Sequence, residues 1–186
     1  MNTAETDDPI ERTLLENLGT DAEVFAALYD RYFSRVYNYV RYRVPDTPTA
    51  EDLTAEIFTR ALAKLDTFSP RRGAFASWLF AIARNTVNGY HRRAKLRRLL
   101  PLSAARNLPA PAPSPPEHSE RKAQRERLLE ALGQLSPRER DLLGLRYAAG
   151  LRHARIARLT GLSESNVAVI IHRALHKLKP LLEETS

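Results

Sequence analysis

Amide and cationic side chains recur along one side of the stretch 75–98, FASWLFAIARNTVNGYHRRAKLRR. Their spacing is helical. Cations can hold the phosphates of a nucleic acid, whereas amides can hydrogen-bond the edges of bases. The stripe is therefore a candidate surface for a nucleic-acid backbone and unstacked bases. The alternative is an amphipathic helix with a solvated basic face. The stripe consists of Arg84, Asn88, His91, Arg92 and Lys95.

An apolar and aromatic stripe on the opposite side of this helix should pack on other helices of the same domain. It consists of Phe75, Leu79, Ile82, Thr86 and Tyr90. Two helices are predicted before it. The first has Asp21 as its N-cap and runs to about Val44, where Pro45 and Pro48 end it. The second runs from about Thr49 to Leu65, and a loop over 66–73 joins it to the amphipathic helix.

Composition indicates an all-α protein, because strand-like alternation of β-branched residues is missing along the 186 residues. The absence of cysteine excludes disulfides and cysteine zinc sites. No apolar run is long enough to span a bilayer. The acidic start, MNTAETDDPI, is unlike a signal peptide. We therefore expect a cytoplasmic protein without membrane insertion, or a nuclear one if the organism has a nucleus.

The net charge of +7 is unevenly distributed. Residues 1–66 carry 7 Lys/Arg and 13 Asp/Glu, whereas residues 67–116 carry 9 Lys/Arg and no acid. Residues 117–186 carry 13 Lys/Arg and 9 acids. A local concentration of positive charge favours a polyanionic partner. A membrane surface is the weaker alternative, since the basic stretch also carries amides and an aromatic residue.

The C-terminal part follows a proline-rich stretch at 103–116, which we interpret as a linker. A helix is predicted from about Glu117 to Leu132, and Ser136-Pro137 with Glu139 forms a capping box for the next one. From 151 to 179, a short helix, a turn at Gly161 and a second helix capped by Ser163 match a helix-turn-helix. An ordinary αα-hairpin is the alternative. The predicted buried row of the second helix is Val167, Ile171, Ala174, Leu175 and Leu178.

Four segments together resemble bacterial extracytoplasmic-function (ECF) sigma factors of the sigma-70 superfamily. The segments 28–44 and 49–65 resemble the first helix of the promoter-opening domain and the helix that binds the clamp of core RNA polymerase. The segments 75–93 and 132–179 resemble the minus-ten reading helix and the minus-thirty-five domain. The resemblance implies two small helical domains, at 21–100 and 118–182, joined by a linker at 101–117. Residues 1–20 would form a tail and a short helix.

The resemblance also implies roles for particular residues. Polymerase binding would use Glu51, Asp52, Glu56 and Arg60. Contacts to the duplex and the melted non-template strand at the minus-ten element would use Arg71, Arg72, Arg84, Asn85, Asn88, His91, Arg92 and Arg93. Contacts at the minus-thirty-five element would use Arg155, Arg158, Ser165, Asn166, Val169, Arg173 and Lys177. A solvated charged face is the alternative for each polymerase-binding residue.

The chain departs from the family pattern at three places. Gly89 stands where relatives usually carry Asp, and Ala55 replaces a common Gln. The apolar run Ala168-Val169-Ile170 replaces Lys, Ser or Arg. Apolar groups can meet thymine methyls but cannot hydrogen-bond bases. The target sequence therefore cannot be copied from relatives.

The resemblance predicts a non-catalytic initiation subunit that binds core RNA polymerase and promoter DNA. Relatives often also have an anti-sigma partner, which the sequence neither supports nor excludes. A stand-alone helix-turn-helix regulator would leave residues 25–100 unexplained. An enzyme acting on nucleic acid is disfavoured, because the five histidines show no metal-ligand spacing and no glycine-rich phosphate loop is present. We predict neither a cofactor nor a metal.

Overall fold

A computed structural model describes residues 22–99 and 119–183, and these residues are helical without strands. The expected tail at 1–20, the Asp21 cap and the linker at 101–117 lie outside the described residues. The helices are α1 (Ala22–Arg41), α2 (Thr47–Ala63), α3 (Phe75–Leu99), α4 (Ser119–Gly133), α5 (Pro137–Leu143), α6 (His153–Thr160) and α7 (Glu164–Glu183). Within these parts of the chain, no helix is both long and apolar enough to cross a membrane.

Helices α1, α2 and α3 form the N-terminal domain. Helix α2 begins earlier than predicted, because Pro48 does not break the chain but lies in its first turn. The carboxylate of Asp46 caps this helix by accepting a hydrogen bond from the Thr49 amide at 2.8 Å. Two short 3₁₀ turns, Leu65–Thr67 and Pro70–Arg72, connect α2 to α3.

The predicted apolar stripe of α3 does face the core. Phe75 and Leu79 are fully buried, as is Thr86, whereas Ile82 and Tyr90 are partly buried against it. The ring of Phe75 lies 5.3 Å, between centroids, from each of three aromatic rings, those of Tyr32, Phe68 and Trp78. Since Phe68 belongs to the connection between α2 and α3, this aromatic cluster fixes the loop that precedes α3.

Helices α4 to α7 form the C-terminal domain. The predicted capping box is present at α5: the Glu139 amide donates to the Ser136 hydroxyl, and the Ser136 amide donates to the Glu139 carboxylate. A π-helical turn, Gly144–Ala148, continues α5. Gly150 then has a φ of 67°, a left-handed conformation that glycine adopts at little cost.

The helix-turn-helix is confirmed as α6, a turn at Gly161 with a φ of 73°, and α7. The Ser163 hydroxyl caps α7 by accepting a hydrogen bond from the Asn166 amide at 3.2 Å. Most of the predicted row of α7 is buried. Leu175 is the exception, because it is 39% exposed and, like Leu182, lines an apolar groove.

The two domains pack on each other. The π-helical turn lies along α1, and α6 lies against α3. The buried apolar residues of both domains belong to one contact cluster. The basic side of α3 therefore meets the C-terminal domain over part of its length.

Candidate nucleic-acid interface

The polar stripe of α3 is divided between solvent and the C-terminal domain. Asn85, Arg92 and Arg93 are exposed. Arg84, Asn88 and His91 are half-buried. Arg84 bonds the C-terminal domain, whereas Asn88 accepts a hydrogen bond from Arg43 of the N-terminal domain. Half of the predicted DNA-reading side chains on α3 are therefore partly shielded from solvent in this arrangement.

Arg84 is held by two parts of the C-terminal domain. Its Nε donates to Asp141 Oδ2 on α5 at 2.8 Å. Its Nη1 donates to the backbone carbonyl of Leu159 on α6 at 3.0 Å. These two contacts use two of the five guanidinium N–H donors and turn the group towards the C-terminal domain.

Asp141 is the centre of a buried polar cluster between the domains. It is 5% exposed. Arg43 Nη1 lies 3.0 Å from its Oδ1, and the Tyr39 hydroxyl donates to the same oxygen at 2.8 Å. Arg43 Nη2 also donates to Asn88 Oδ1 at 2.7 Å. We call these five residues, Tyr39, Arg43, Arg84, Asn88 and Asp141, the Asp141 cluster.

Burial keeps the tyrosine of this cluster neutral. Desolvation raises the pKa of Tyr39 far above its ordinary value, and the negative charge of Asp141 acts in the same direction, although Arg43 opposes it. The Tyr39 hydroxyl therefore remains a proton donor to Asp141 while accepting a hydrogen bond from Arg43 Nη1 at 2.5 Å.

Sequence reasoning missed three members of the Asp141 cluster. None of Tyr39, Arg43 and Asp141 was singled out as a candidate site residue. One signal in the sequence is that Asp141 directly precedes the apolar run Leu142–Leu145. A charge at the edge of a buried run needs a partner, but the sequence does not identify a partner 57 or 98 residues away.

The protonated form of His91 is disfavoured at its position near Arg43 and Asp141. Burial lowers its pKa below the ordinary 6.5, and the positive charges of Arg43 and Arg140 lower it further, opposed by a backbone hydrogen bond to Arg43 and by Asp141. As pH falls through 6.5, the unfolded chain binds a proton at His91 before the folded chain does. His91 therefore reduces stability progressively in acid.

We expect His91→Gln to lose less stability than the parent chain between about pH 7.5 and about pH 5.5, because the variant has no imidazole to protonate. Urea unfolding midpoints at the two pH values measure this difference. Hydrogen bonds from Lys177 and Ser136 outweigh burial and lower the pKa of Glu139, so its protonation falls below this interval. The exposed His172→Gln is the matched control. An equal loss in His91→Gln and the parent would contradict this prediction.

On the helix-turn-helix, the first turns of α7 are open to solvent. Ser165, Asn166, Val169 and Arg173 are all exposed. Val169 is 45% exposed, so its apolar side chain is available at the surface of α7. Lys177, in contrast, is paired with Glu139 of α5 at 2.6 Å. Arg158 is exposed, and Arg155 is half-buried with its guanidinium beside Gly73.

The charged side of α2 lies on the surface. Glu51 and Asp52 are exposed in its first turns. Glu56 and Arg60 pair with each other at 2.5 Å, and Arg60 Nη1 also lies 3.4 Å from the Thr86 hydroxyl of α3. Arg71 is exposed in the loop before α3, and the side chain of Arg72 lies outside the described part of the chain.

Two further expectations bear on this surface. A Cβ at Gly89 would meet only the flexible ends of Arg92 and Arg93, at 3.6 Å or more, so packing does not demand glycine there. Among the described residues, no three His, Cys, Asp or Glu side chains are grouped so that they could hold a metal ion.

Comparison with known families gives two matches in one chain. The model of sigma-70 region 2 matches residues 28–97. The model of sigma-70 region 4 matches residues 125–178. The chain belongs to the sigma-70 family. The first match covers most of α1 to α3 and the second covers most of α4 to α7, as the resemblance of the four segments predicted.

Individual sigma factors are similar to this chain over most of its length. It is 34% identical over 164 residues to the ECF RNA polymerase sigma factor BldN of Streptomyces coelicolor. That match covers 88% of this chain but 62% of BldN, so the chain spans less than two thirds of this relative. It is also 30% identical to the RNA polymerase sigma factor YlaC of Bacillus subtilis, covering 82% of this chain and 88% of YlaC.

A solved structure shows the same fold. The sigma factor RpoE of Bartonella quintana, crystallised in complex with the anti-sigma factor NepR, matches with a TM-score of 0.69. The match covers 87% of this sigma-70 family chain and 98% of the RpoE chain, at 23% sequence identity.

Proposed function

We propose that the chain is an ECF-type sigma factor that binds core RNA polymerase and directs promoter recognition, DNA melting and transcription initiation. The observation that carries this proposal is the presence of sigma-70 regions 2 and 4, in this order, in one chain. A stand-alone helix-turn-helix regulator would use only the second region. The role is non-catalytic and cytoplasmic, and the partners are core polymerase and promoter DNA.

We assign the polymerase contact to the exposed side of α2. Glu51, Asp52, Glu56 and Arg60 present charged groups to solvent on successive turns. Asp52 has the simplest environment for such a role, because it is exposed in the second turn of a capped helix. The N-terminal domain would extend over 21–100, the linker over 101–117 and the C-terminal domain over 118–182.

We assign the minus-ten contact to α3 and the loop before it. Asn85 is exposed and carries both an amide donor and an acceptor, so it can read the edge of an unstacked base. Arg71, Arg92 and Arg93 are exposed cations suited to phosphates. Arg72 is assigned to phosphates too. Arg84 would take part only after leaving the C-terminal domain, and Asn88 only after leaving Arg43, whereas the half-buried His91 would need to become more exposed.

We assign the minus-thirty-five contact to α6 and α7. Ser165, Asn166 and Val169 stand on the exposed N-terminal turns of α7, the part of a recognition helix that meets base edges. Arg155, Arg158 and Arg173 would hold phosphates, as would Lys177 once it exchanges Glu139 for a phosphate. Val169 offers an apolar contact for a thymine methyl.

Run-off transcription tests the proposal. Core RNA polymerase is supplied with and without the purified chain on a set of candidate promoters from its own genome. We expect defined transcripts only when the chain is present. If the chain never directs initiation but binds duplex DNA tightly by itself, it is a stand-alone regulator instead.

A further inference from the structure

Two histidines on α7 hold their rings close together at the protein surface. His172 and His176 are one helical turn apart, and both are exposed. Their ring centroids lie 4.5 Å apart, with the ring planes inclined at 61°. Neither ring makes a hydrogen bond or an ion pair with another of the described residues. The ring nitrogens can therefore bind a ligand from outside the chain.

The separation of the two rings suits chelation of one metal ion. Zinc binds an imidazole nitrogen at about 2.0–2.1 Å, so two such ligands on one ion have nitrogens roughly 3 Å apart. Rotation about χ2 swings the nitrogens of a histidine around a nearly fixed ring centre. Rings 4.5 Å apart can therefore reach this separation without movement of the helix. Two histidines spaced i, i+4 form the helical part of known zinc sites for the same reason.

The ligand type selects the class of metal ion. Imidazole nitrogen suits transition-metal ions such as Zn²⁺, Ni²⁺ and Cu²⁺. Mg²⁺ and Ca²⁺ prefer oxygen ligands, and in the described part of the chain no carboxylate completes a three-ligand group with these histidines. Two protein ligands leave two positions of a tetrahedral ion open. The spacing of the histidines predicted no metal because the chain alone supplies an incomplete site.

The pair lies beside the surface of α7 that is assigned to DNA. His172 follows Val169 by three residues and His176 follows Arg173 by three, so each histidine neighbours a residue assigned to the minus-thirty-five element. Arg173 and Lys177 carry positive charge next to the pair, which weakens the binding of a dication to the chain alone. A phosphate oxygen would offset this repulsion, because it brings negative charge and fills an open position on the metal.

We propose that His172 and His176 form an open transition-metal site on α7, which binds Zn²⁺ through both imidazoles and a DNA phosphate oxygen through the metal. The DNA part of this inference rests on the function proposed above, whereas metal binding by the two histidines does not. The metal would add one phosphate contact beside the base-reading turns of α7. Since phosphate contacts carry no sequence information, it would tighten duplex binding without changing which sequence is preferred.

Isothermal titration calorimetry of the full-length chain with Zn²⁺ tests the metal site. His172→Gln and His176→Gln each remove one ligand at an exposed position. Each should weaken Zn²⁺ binding at least about tenfold, since loss of a residue that merely supports a metal ligand already costs about 10- to 100-fold. His153→Gln is the matched control, because it makes the same chemical change on α6. Circular dichroism melts establish that each variant is folded.

A second titration measures the affinity of the full-length chain for a mixed-sequence DNA duplex, with and without Zn²⁺ at constant ionic strength. We expect Zn²⁺ to raise this affinity about three- to tenfold in the parent chain, as for one added phosphate contact. His153→Gln should show the same gain. The gain should be absent in His172→Gln and in His176→Gln, because neither variant retains both ligands.

A Zn²⁺ affinity equal to that of the parent in either α7 variant would overturn the two-histidine site. Zn²⁺ binding that depends on both histidines but leaves duplex affinity unchanged would overturn the phosphate contact. The calorimetry uses neither DNA nor polymerase. A failure of run-off transcription by the parent chain, with Zn²⁺ binding still dependent on both histidines, would therefore count against the proposed function and not against the metal site.

Discussion

Phe75→Ala should lower the free energy of unfolding of the N-terminal domain by about 3–5 kcal/mol, as expected for removal of a large buried aromatic side chain. Phe75 is 1% exposed and begins α3. Its ring contacts the rings of Tyr32, Phe68 and Trp78, so the substitution leaves a cavity where α1, α3 and the preceding loop meet. The loss is a large fraction of the 5–15 kcal/mol typical of a whole domain.

Urea unfolding followed by Trp78 fluorescence measures this effect, because Trp78 is the single tryptophan and lies beside Phe75. Leu96→Ala on the same helix is the control, since Leu96 is 60% exposed. It should change the free energy of unfolding by no more than about 0.5 kcal/mol. Similar losses in the two variants would show that the aromatic cluster does not hold the domain together.

The aromatic cluster illustrates what the sequence alone could predict. The helical spacing that begins at Phe75 identified the buried side of α3, because burial there follows a period of 3.6 residues. The capping box at Ser136 and the turn at Gly161 were also predictable, since each is completed within a few neighbouring residues. Local signals of this kind account for the two helical domains.

The structural role of Pro48 was predicted less well than these local features. Pro48 was expected to end α1, but it lies in the first turn of α2, two residues after the N-cap Asp46. Both outcomes obey the same rule, because a proline is excluded from helix interiors and accepted in the first turn. The capping carboxylate two residues earlier distinguishes the two cases. Leu175 was wrongly predicted to be buried, because the buried face of α7 is narrower than its row of apolar residues.

The Asp141 cluster was not predictable by such signals. Its members come from α1, the residues after it, α3 and α5, and their contacts span up to 102 residues. Nothing local marks Arg84 as a partner of Asp141 rather than of a phosphate, because a guanidinium suits both. The stripe on α3 was correctly seen as polar and cationic, but how it is divided between solvent and the second domain depends on tertiary packing.

Tertiary packing gives two asparagines of α3 different environments, although both were predicted from the sequence to contact DNA. Asn88 is half-buried and its Oδ1 accepts from Arg43, whereas Asn85 is exposed one helical turn earlier. A substitution at Asn88 would disturb both the Asp141 cluster and any contact to DNA. Asn85 is therefore the better position for testing whether α3 reads a base.

Asn85→Ala should slow formation of the open promoter complex by about 10- to 100-fold, which corresponds to loss of a base-edge contact of about 1–3 kcal/mol. The stability of the fold should not decrease, because Asn85 is exposed and alanine has a higher helix propensity than asparagine. The affinity for core polymerase should also be unchanged, since Asn85 lies on α3 and the proposed polymerase contact lies on α2. Stopped-flow fluorescence of a dye-labelled promoter measures the opening rate.

Arg92→Ala is the control that separates base reading from phosphate contact. Arg92 is exposed on the same helix, seven residues further along. Its loss should weaken binding to all sequences and reduce the slope of log affinity against log salt concentration by about 1. Asn85→Ala should leave that slope unchanged, because an uncharged amide displaces no counterion. A changed slope in Asn85→Ala, or an opening rate equal to that of the parent, would show that Asn85 does not read a base.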